Sequence, residues 1–354
     1  MRSNPRRIHP MPPLRFLVTG GAGYIGSHAA LALLDAGHAV TIVDTLERGH
    51  ASTVETLRAY GGDRVRFEQL DVRATKPLTA LLRAQKLDAV LHFAAYAYVR
   101  ESILCPLRYY ENNVTGGISL LRAMEDAGVN RIIFSSSCAT YGEPDATWFP
   151  LREETPQQPV NPYGETKLAT EQLLRTLCEK SCASTNALAV VALRYFNVAG
   201  ADPQLRVGEA HAPETHLIPI ALEVARGVRP ELVLFGDDHA TKDGSCVRDF
   251  VHVSDLVHAH LLALSALEHG RFKAWNVGIG HGYSVLEVVE SCRRITGAKI
   301  PVRLMPRIPG EPRELVADAS AIRRDLAWSP HYCSLDAIIE SAWNFAKRGS
   351  VPVA

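Results

Sequence analysis

The chain has 354 residues, with 38 basic and 38 acidic side chains and therefore a formal net charge of zero. Apolar residues make up 47% and charged residues 21%, which is the ordinary composition of a globular protein. Zero net charge removes the usual electrostatic attraction to nucleic acid. No stretch approaches the roughly 18 apolar residues that span a bilayer. We therefore expect neither a nucleic-acid nor a membrane partner, and the length favours two packed lobes.

The N-terminal residues and the cysteines indicate in which cellular compartment the protein resides. Residues 1–13 carry three arginines but precede no apolar signal-peptide core, so we expect a disordered extension there. Seven cysteines, an odd number without a C-x-x-C pair, suit free thiols in a reducing environment. The closest pair, Cys178 and Cys182, has no ligand cluster nearby, so no metal is expected. These features predict a cytoplasmic protein.

From Leu14 onward, short apolar strands alternate with segments of helical periodicity. The predicted strands are Arg15–Thr19, Ala39–Val43, Val65–Leu70, Ala89–Phe93, Arg131–Phe134 and Ala189–Leu193. The helices between them include His28–Leu34, Ile118–Met124 and Leu168–Leu177, and Gly37 and Gly128 are placed as helix C-caps. Such alternation predicts an α/β fold with a doubly wound, Rossmann-type parallel sheet over residues 14–194.

After about Tyr195 the rhythm changes, because eight prolines break the chain into shorter elements. This part predicts a smaller mixed α/β lobe over residues 195–354, some segments of which can pack back on the first lobe. Its predicted helices are Pro219–Ala225, Asp255–Leu267, Val285–Ile295 and Ala337–Phe345, and Pro306–Arg313 is predicted to be a loop.

The first strand leads directly into a glycine-rich turn. Gly20, Gly23 and Gly26 lie between this strand and a helix, where glycine permits a tight turn and close approach to a pyrophosphate. Asp44 ends the second strand, 18 residues after Gly26, which is near the spacing of an acid that bonds a ribose diol. An acid there favours NAD over NADP. The turn, with Tyr24 and Ile25, therefore predicts an NAD site.

Two further strand ends extend this site. Asp71 and Val72 follow the third strand, where Asp71 either bonds the adenine ring or caps the next helix. Phe93, Ala94 and Ala95 close the fourth strand with small residues that either pass beneath the cofactor or serve packing.

Tyr163 and Lys167 are four residues apart, so a helix places both on one face. A free tyrosine has a pKa near 10, and we expect a lysine and a positive nicotinamide to lower it toward neutral pH. Ser137 ends a predicted strand at the sheet edge where ligands bind. Its hydroxyl would share a hydrogen bond with the substrate oxygen, although a polar strand end is an equal alternative.

Together, these residues resemble the extended short-chain dehydrogenase/reductases, and more narrowly the NAD-dependent UDP-glucose 4-epimerases. Matching runs also occur at residues 20–28, 109–114, 161–164, 193–197 and 243–249, so the resemblance covers nearly everything from Leu14 to about Phe345. Residues 138–144 are in addition similar to the UDP-arabinose (UDP-xylose) 4-epimerases. The resemblance implies a homodimer formed by helices around Asn113–Met124 and Tyr163–Leu177.

Roles follow from the resemblance. It makes Ser137, Tyr163 and Lys167 the catalytic group. It adds three residues to the NAD site, Asn112, Ser135 and Tyr195. It implies that the UDP-sugar is held by Asn197, His216, Leu217, Phe235, Arg248, Arg307 and Glu311.

The sequence departs from the family at several of these places. Many relatives have two adjacent arginines where this chain has Arg307 and Ile308, and an aspartate where it has Glu311. Ala97 replaces a lysine or similar residue of some epimerases. Arg100 stands where relatives usually have glycine, and Leu315 falls where the family varies with sugar size.

The predicted reaction is reversible C4 epimerisation of UDP-glucose and UDP-galactose through a 4-keto sugar, with tightly bound NAD. UDP-xylose/UDP-arabinose epimerisation is the alternative. A sugar-nucleotide dehydratase is disfavoured because Cys138 and Ala139 stand where such enzymes have an acid. Asp44 argues against an NADPH-dependent reductase. A non-catalytic NAD-binding protein is the alternative of another class, and the intact Tyr163 and Lys167 argue against it.

Overall fold

The computed structural model describes residues 13–181 and 186–348. Apart from Pro13, the predicted N-terminal extension lies outside the described residues, as does Cys182. In the described part, no helix is long and apolar enough to cross a membrane.

Thirteen strands are found among the described residues. They are β1 (Arg15–Thr19), β2 (Ala39–Asp44), β3 (Val65–Gln69), β4 (Ala89–His92), β5 (Arg131–Ser137), β6 (Ala189–Tyr195), β7 (Asn197–Ala199), β8 (Leu232–Phe235), β9 (Val247–His252), β10 (Phe272–Val277), β11 (Gly282–Ser284), β12 (Val302–Met305) and β13 (Glu314–Leu315).

Twelve α-helices accompany them in the same part of the chain. They are α1 (Tyr24–Asp35), α2 (Ala51–Gly61), α3 (Thr75–Gln85), α4 (Val99–Leu104), α5 (Pro106–Tyr109), α6 (Gly116–Ala127), α7 (Pro162–Ser181), α8 (Leu217–Ala225), α9 (Val253–Ala263), α10 (Val285–Thr296), α11 (Ser320–Leu326) and α12 (Leu335–Ala346). A π-helical turn, Tyr110–Thr115, joins α5 to α6.

Seven parallel strands form the main sheet, in the order β10-β6-β5-β4-β1-β2-β3. The order reverses between β1 and β4, and ligands bind outside the carboxyl ends of parallel strands at such a switch point. The predicted doubly wound Rossmann-type sheet is confirmed.

The main sheet is buried on both faces, as its continuously apolar strands predict. Successive side chains of a strand point to opposite faces, so Phe16 and Val18 join one core and Leu17 joins the other. Residues of α1 and α9 complete the first core, and residues of α3, α6 and α7 complete the second. These two apolar layers hold the strand ends, and hence the cavity described below, in a fixed position.

The second lobe has short strands in place of one large sheet. Strand β9 pairs with β7, β11 and β13, while β8 and β12 form a separate pair. Helices α8, α10 and α12 pack together through Ile218, Val288 and Ile338, which are all buried. The predicted smaller mixed lobe is confirmed.

The predicted helices are present and mostly extend a few residues further, and Gly37 and Gly128 have the positive φ of helix ends. The strands of the second lobe were not predicted, because they are only two to six residues long and lie between prolines. The chain also returns to the first lobe, where α9 packs on α1 and β10 extends the main sheet beside β6.

Candidate active site

A cavity of about 890 Å³ opens at the carboxyl edge of the main sheet, between the two lobes. The turn after β1 and the ends of β2, β4 and β5 line one part of it, together with the start of α7. The second lobe lines the rest through β8, β9 and the loop before β13. We call the part of the cavity next to the strands of the main sheet its sheet end, and the part next to β8 its distal end.

The glycine turn at the sheet end has no room for side chains. Gly20 has φ +72°, and a Cβ there would lie 2.7 Å from the backbone nitrogen of Ala94. A Cβ on Gly26 would lie 2.2 Å from the carbonyl oxygen of Gly20. Helix α1 begins at Tyr24, so its unpaired N–H groups and positive dipole end face the cavity. This cradle fits a pyrophosphate, and Tyr24 and Ile25 also line it.

Asp44 ends β2 beside this cradle. Its carboxylate accepts hydrogen bonds from the backbone N–H groups of Ala22 (3.1 Å) and Leu46 (2.9 Å). Burial raises the pKa of Asp44, and these hydrogen bonds oppose the rise. The side chain is thus fixed on the turn with further lone pairs open, as a residue that accepts the hydroxyls of a ribose requires.

Asp71 and Val72 line the cavity below Asp44. The helix-cap alternative for Asp71 is wrong, because the N-cap of α3 is Ala74. Asp71 accepts hydrogen bonds from the backbone N–H of Arg73 (2.8 Å) and from its guanidinium, which lowers the pKa of the Asp71 carboxyl.

The chain after β4 forms the floor of the sheet end. Phe93, Ala94 and Ala95 line it, and Asn112 reaches it from the π-helical turn. The neighbouring Asn113 accepts from the Tyr96 N–H (2.8 Å) and donates to the Tyr96 carbonyl (3.1 Å), which ties the turn to the floor. π-Helical turns are frequent at functional sites, and no periodicity signal in the sequence revealed this one.

Ser137, Tyr163 and Lys167 meet at the sheet end. Ser137 is the last residue of β5, and Tyr163 is the second residue of α7, one turn before Lys167. The Lys167 ammonium donates a hydrogen bond to the Ser135 carbonyl oxygen (2.7 Å). The Ser135 hydroxyl is hydrogen-bonded to the Tyr195 hydroxyl. All five side chains line the same cavity.

Burial sets the pKa values of Tyr163 and Lys167 in the protein chain. It raises the pKa of Tyr163 to about 12, and a hydrogen bond with Ser137 opposes the rise. Burial also lowers the pKa of Lys167 to about 7. Lys167 is not among the causes of the Tyr163 pKa in the chain by itself, so the lowering expected from a lysine together with a positive nicotinamide stays a prediction.

The distal end contains most of the residues expected to hold a nucleotide sugar. Asn197, His216, Leu217, Phe235, Arg248 and Glu311 all line the cavity. A guanidinium nitrogen of Arg248 lies 3.9 Å from the Glu311 carboxylate, and the Arg248 side chain is only 11% exposed. Arg248 is therefore a largely buried residue of the cavity wall and not a surface salt-bridge residue.

Arg307 is placed differently. It is not part of the cavity lining among the described residues, and its guanidinium donates to the carboxylate and carbonyl oxygens of Asp238. Its side chain packs against Gly236, where an added Cβ would lie 2.5 Å from Arg307 Cγ. The structure thus brings Ile308, and not Arg307, to the cavity.

The five residues that depart from the family, Ala97, Arg100, Ile308, Glu311 and Leu315, all line the cavity. Ala97 lies beside the floor, and Leu315 is buried against Cys138 and Phe196. Arg100, in the first turn of α4, places its guanidinium carbon 3.8 Å from the centre of the Phe235 ring. The first and second lobes therefore contact each other across the cavity through these two side chains.

A histidine and glutamate cluster near the cavity was missed by the sequence reasoning. One side-chain donor atom from each of Glu209, His211, Glu214 and His216 lies within 4.8 Å of the others. The signal was a Glu-x-His-x-x-Glu-x-His spacing in the sequence. His211 Nδ1 lies 3.2 Å from Glu209 and 3.6 Å from Glu214.

Burial disfavours the charged form of both Glu209 and His211, yet their attraction outweighs it. The pKa of His211 rises to about 10 through Glu209 and Glu214, and the pKa of Glu209 falls to about 2 through His216 and His211. The two histidines and two glutamates thus form a network of ion pairs in the loop before α8.

Comparisons with known proteins agree with this geometry. Residues 16–278 match the sequence model of the NAD dependent epimerase/dehydratase family. The chain is 47% identical over 336 residues to a UDP-glucose 4-epimerase of Halalkalibacterium halodurans, covering 95% of this chain and 96% of the relative. It is 43% identical over 337 residues to UDP-arabinose 4-epimerase 1 of Arabidopsis thaliana, covering 94% of this chain and 79% of the relative.

Among solved structures, the chain resembles UDP-glucose 4-epimerase from Bifidobacterium longum in complex with NAD⁺ and UDP. The TM-score is 0.89 at 36% identity, and the match covers 95% of this chain and 98% of that one.

Proposed function

The chain belongs to the NAD dependent epimerase/dehydratase family, and we propose that it interconverts UDP-glucose and UDP-galactose by inverting C4. NAD is its cofactor. One observation carries the proposal, namely that Ser137, Tyr163 and Lys167 lie together at the sheet end of a cavity that continues to Phe235 and Arg248. A sugar linked to UDP can reach the first group while its nucleotide occupies the second.

The sheet end fits the cofactor on its own geometry. The cradle at Gly20, Gly23 and Gly26 would hold the pyrophosphate, and Asp44 the adenine ribose. Asp71 and Val72 would lie along the adenine, while Ser135, Asn112 and Tyr195 would lie along the nicotinamide half, above Phe93, Ala94 and Ala95. When bound, NAD would supply the acceptor for a hydride from the sugar C4 and the donor that returns it to the opposite face of the 4-keto sugar.

Tyr163 moves the proton of the reaction. Its phenolic oxygen takes the proton of the sugar 4-hydroxyl in one direction and gives it back in the other. Ser137 donates a hydrogen bond to the same sugar oxygen. Since burial raises the pKa of Tyr163 to about 12, a positive charge must enter the cavity before the phenolate becomes accessible near neutral pH. An oxidised nicotinamide would supply that charge beside the Lys167 ammonium, which is already at the sheet end.

The second lobe holds UDP without taking part in the chemistry. Phe235 offers an aromatic face to the base, and Arg248 a guanidinium fork to the diphosphate. Asn197, His216, Leu217 and Glu311 line the path between them. Binding energy from UDP retains the 4-keto sugar while it turns over to present its other face.

The rival activities require residues that this site lacks. A dehydratase needs an additional acid next to Ser137, and Cys138 in that position is buried with a pKa raised to about 12 by burial.

UDP-arabinose 4-epimerisation remains the second candidate, because one similar relative carries that activity in its name. The buried Leu315, which faces the cavity, is the side chain that we expect to set the sugar preference.

We also propose a cytoplasmic homodimer that serves galactose metabolism. Exposed apolar side chains along α4 to α6 support the dimer. Leu104 is 80% exposed and Leu107 is 78% exposed, and Ile118 adds a third apolar side chain to the same surface. Sedimentation equilibrium of the purified protein measures the mass directly, and a monomer at micromolar concentration contradicts the dimer.

The test of the activity is NMR of purified protein incubated separately with UDP-galactose, UDP-N-acetylgalactosamine and UDP-arabinose, without added NAD. We expect conversion of UDP-galactose to UDP-glucose, because NAD is retained and regenerated in each cycle. A deoxy product would assign the dehydratase branch, and conversion of UDP-arabinose alone would assign the pentose activity. No turnover even after NAD is added would favour the non-catalytic alternative.

A further inference from the structure

We propose that Arg100 is a diphosphate-binding residue of this protein and supplies the positive charge that Ile308 fails to supply. This inference rests on the proposed function, because it requires a UDP-sugar beside Phe235. Position 308 places an apolar isoleucine at the cavity wall, whereas position 100 places an arginine there. Arg100 lies over the ring of Phe235, at the same end of the cavity as Arg248.

The cationic side chains around the cavity support this assignment by elimination. Among the described residues, five arginines and lysines line it. Arg48 is paired with Glu101 (2.6 Å) and Arg229 with Glu223, so both charges are neutralised locally. Lys167 is held at the sheet end by the Ser135 carbonyl. Only Arg248 and Arg100 are left to meet an anion at the distal end.

Arg100 is itself poised to move. Within residues 13–181 and 186–348 its side chain makes no hydrogen bond or ion pair, and its guanidinium lies over the ring face of Phe235 on the rim of the cavity. Glu311 acts on Arg100 through charge from beyond ion-pair distance, and it also lies 3.9 Å from Arg248. Arg100 and Arg248 both line the distal end of the cavity, and two guanidinium groups suit the phosphate oxygens of a diphosphate.

Arg307 does not provide this charge. Its guanidinium is bound to Asp238 outside the cavity, while the neighbouring Ile308 presents an apolar side chain to the inside. When the uracil base stacks on the ring of Phe235, the Arg100 guanidinium leaves that ring and binds the phosphate oxygens. Closure of the distal end thus couples base stacking to diphosphate binding through a single side chain.

Calorimetric titration of the NAD-loaded protein with UDP, and separately with uridine, tests this inference without relying on turnover. We expect Arg100→Ala to weaken UDP binding by about 10- to 100-fold, the effect of losing a charge-assisted contact. Uridine affinity should change by less than about threefold, because uridine has no diphosphate. The double variant Arg100→Ala with Ile308→Arg should recover most of the UDP affinity.

Arg294→Ala is the matched control, because Arg294 is an exposed arginine paired with Asp336, and neither of these residues lines the cavity. It should leave UDP affinity within about twofold of the parent. Equal weakening of UDP and uridine by Arg100→Ala would overturn the inference, since Arg100 would then only shape the base pocket. A larger loss from Arg307→Ala than from Arg100→Ala would also overturn it. If the parent protein binds no UDP, the proposed function fails as well, whereas normal UDP binding by Arg100→Ala refutes this inference alone.

Discussion

The two ends of the cavity are built in different ways. At the sheet end, Gly20, Asp44 and Ser137 lie at or next to the carboxyl ends of buried strands, so the backbone of the core sets their positions. At the distal end, Arg100, Phe235 and Glu311 come from three separate parts of the chain, and side-chain contacts set their arrangement. The sheet end therefore tolerates little change in backbone or side-chain volume, whereas the distal end can exchange one arginine position for another.

The largest effect is expected from Tyr163→Phe, which removes the hydroxyl that moves the proton and leaves the ring in place. Loss of a general acid–base group costs about 10²- to 10⁴-fold in rate, so kcat should fall by that factor while KM changes little. Steady-state kinetics with UDP-galactose measure both. Tyr60→Phe is the matched control on the exposed surface. Near-normal turnover of Tyr163→Phe would remove Tyr163 from the mechanism.

The next effect concerns the rigidity of the sheet end. A Cβ on Gly26 would lie 2.2 Å from a backbone oxygen, whereas the nearest neighbour of a Cβ on Gly23 is 3.3 Å away. We expect purified Gly26→Ala to retain about a tenth or less of the NAD held by the parent, and Gly23→Ala to retain more. NAD released on denaturation gives the content. Equal contents in the two variants would show that this turn does not hold the cofactor.

Phe235→Ala should produce a smaller loss confined to the distal end. Removing an aromatic face from a stacked base weakens UDP binding by about tenfold, while NAD content stays at the parent level. At saturating UDP-galactose, kcat should change by less than about threefold, because Phe235 does not touch the reacting atoms. A kcat loss comparable to that of Tyr163→Phe would contradict the division of the cavity into two ends.

The smallest effect is a pH-dependent contribution of the Glu209–His211 pair, beside the cavity, to the free energy of unfolding. The pKa of His211 is about 10 in the fold against 6.5 ordinarily, so its stabilising contribution is complete below pH 6.5 and is lost as the pH rises through 10. The pKa of Glu209 is about 2 against 4.5, so its contribution is complete above pH 4.5 and is lost as the pH falls through 2.

The free energy of unfolding of His211→Gln should therefore fall furthest below that of the parent, by roughly 1–2 kcal/mol, between pH 4.5 and 6.5. Its difference from the parent should shrink toward pH 10. Chemical denaturation at a series of pH values measures the free energy of unfolding. A difference that stays constant from pH 5 to 10 would show that the pair does not titrate as assigned.

The same contrast explains what could be read from the sequence. The strands of the main sheet, the glycine turn and the Tyr163–Lys167 pair have local signals, since each depends on neighbours within a few residues. Strand β10 had no local signal, because its place beside β6 is decided by pairing of residues that are 82 positions apart in the chain. The raised pKa of Tyr163 in the chain by itself also had no local signal, because burial of its surroundings is a property of the folded chain.

At the distal end, a sequence reading could name Phe235 and Arg248 only through resemblance, and it placed Arg307 at the diphosphate. The bond from Arg307 to Asp238 and the reach of Arg100 to Phe235 depend on side-chain directions that no spacing rule provides. The His211 cluster shows a recognisable spacing, yet spacing alone does not distinguish an ion-pair network from a metal site.

The most direct test of the central claim uses UDP-galactose labelled with deuterium at C4 of the sugar, incubated with purified protein in ordinary water without added NAD. A hydride that leaves C4 and returns within the same closed site keeps its label, so UDP-glucose should retain deuterium at C4, as measured by NMR and mass spectrometry. Recovery of UDP-glucose with hydrogen from solvent at C4 would contradict the account, because inversion would then proceed without hydride transfer.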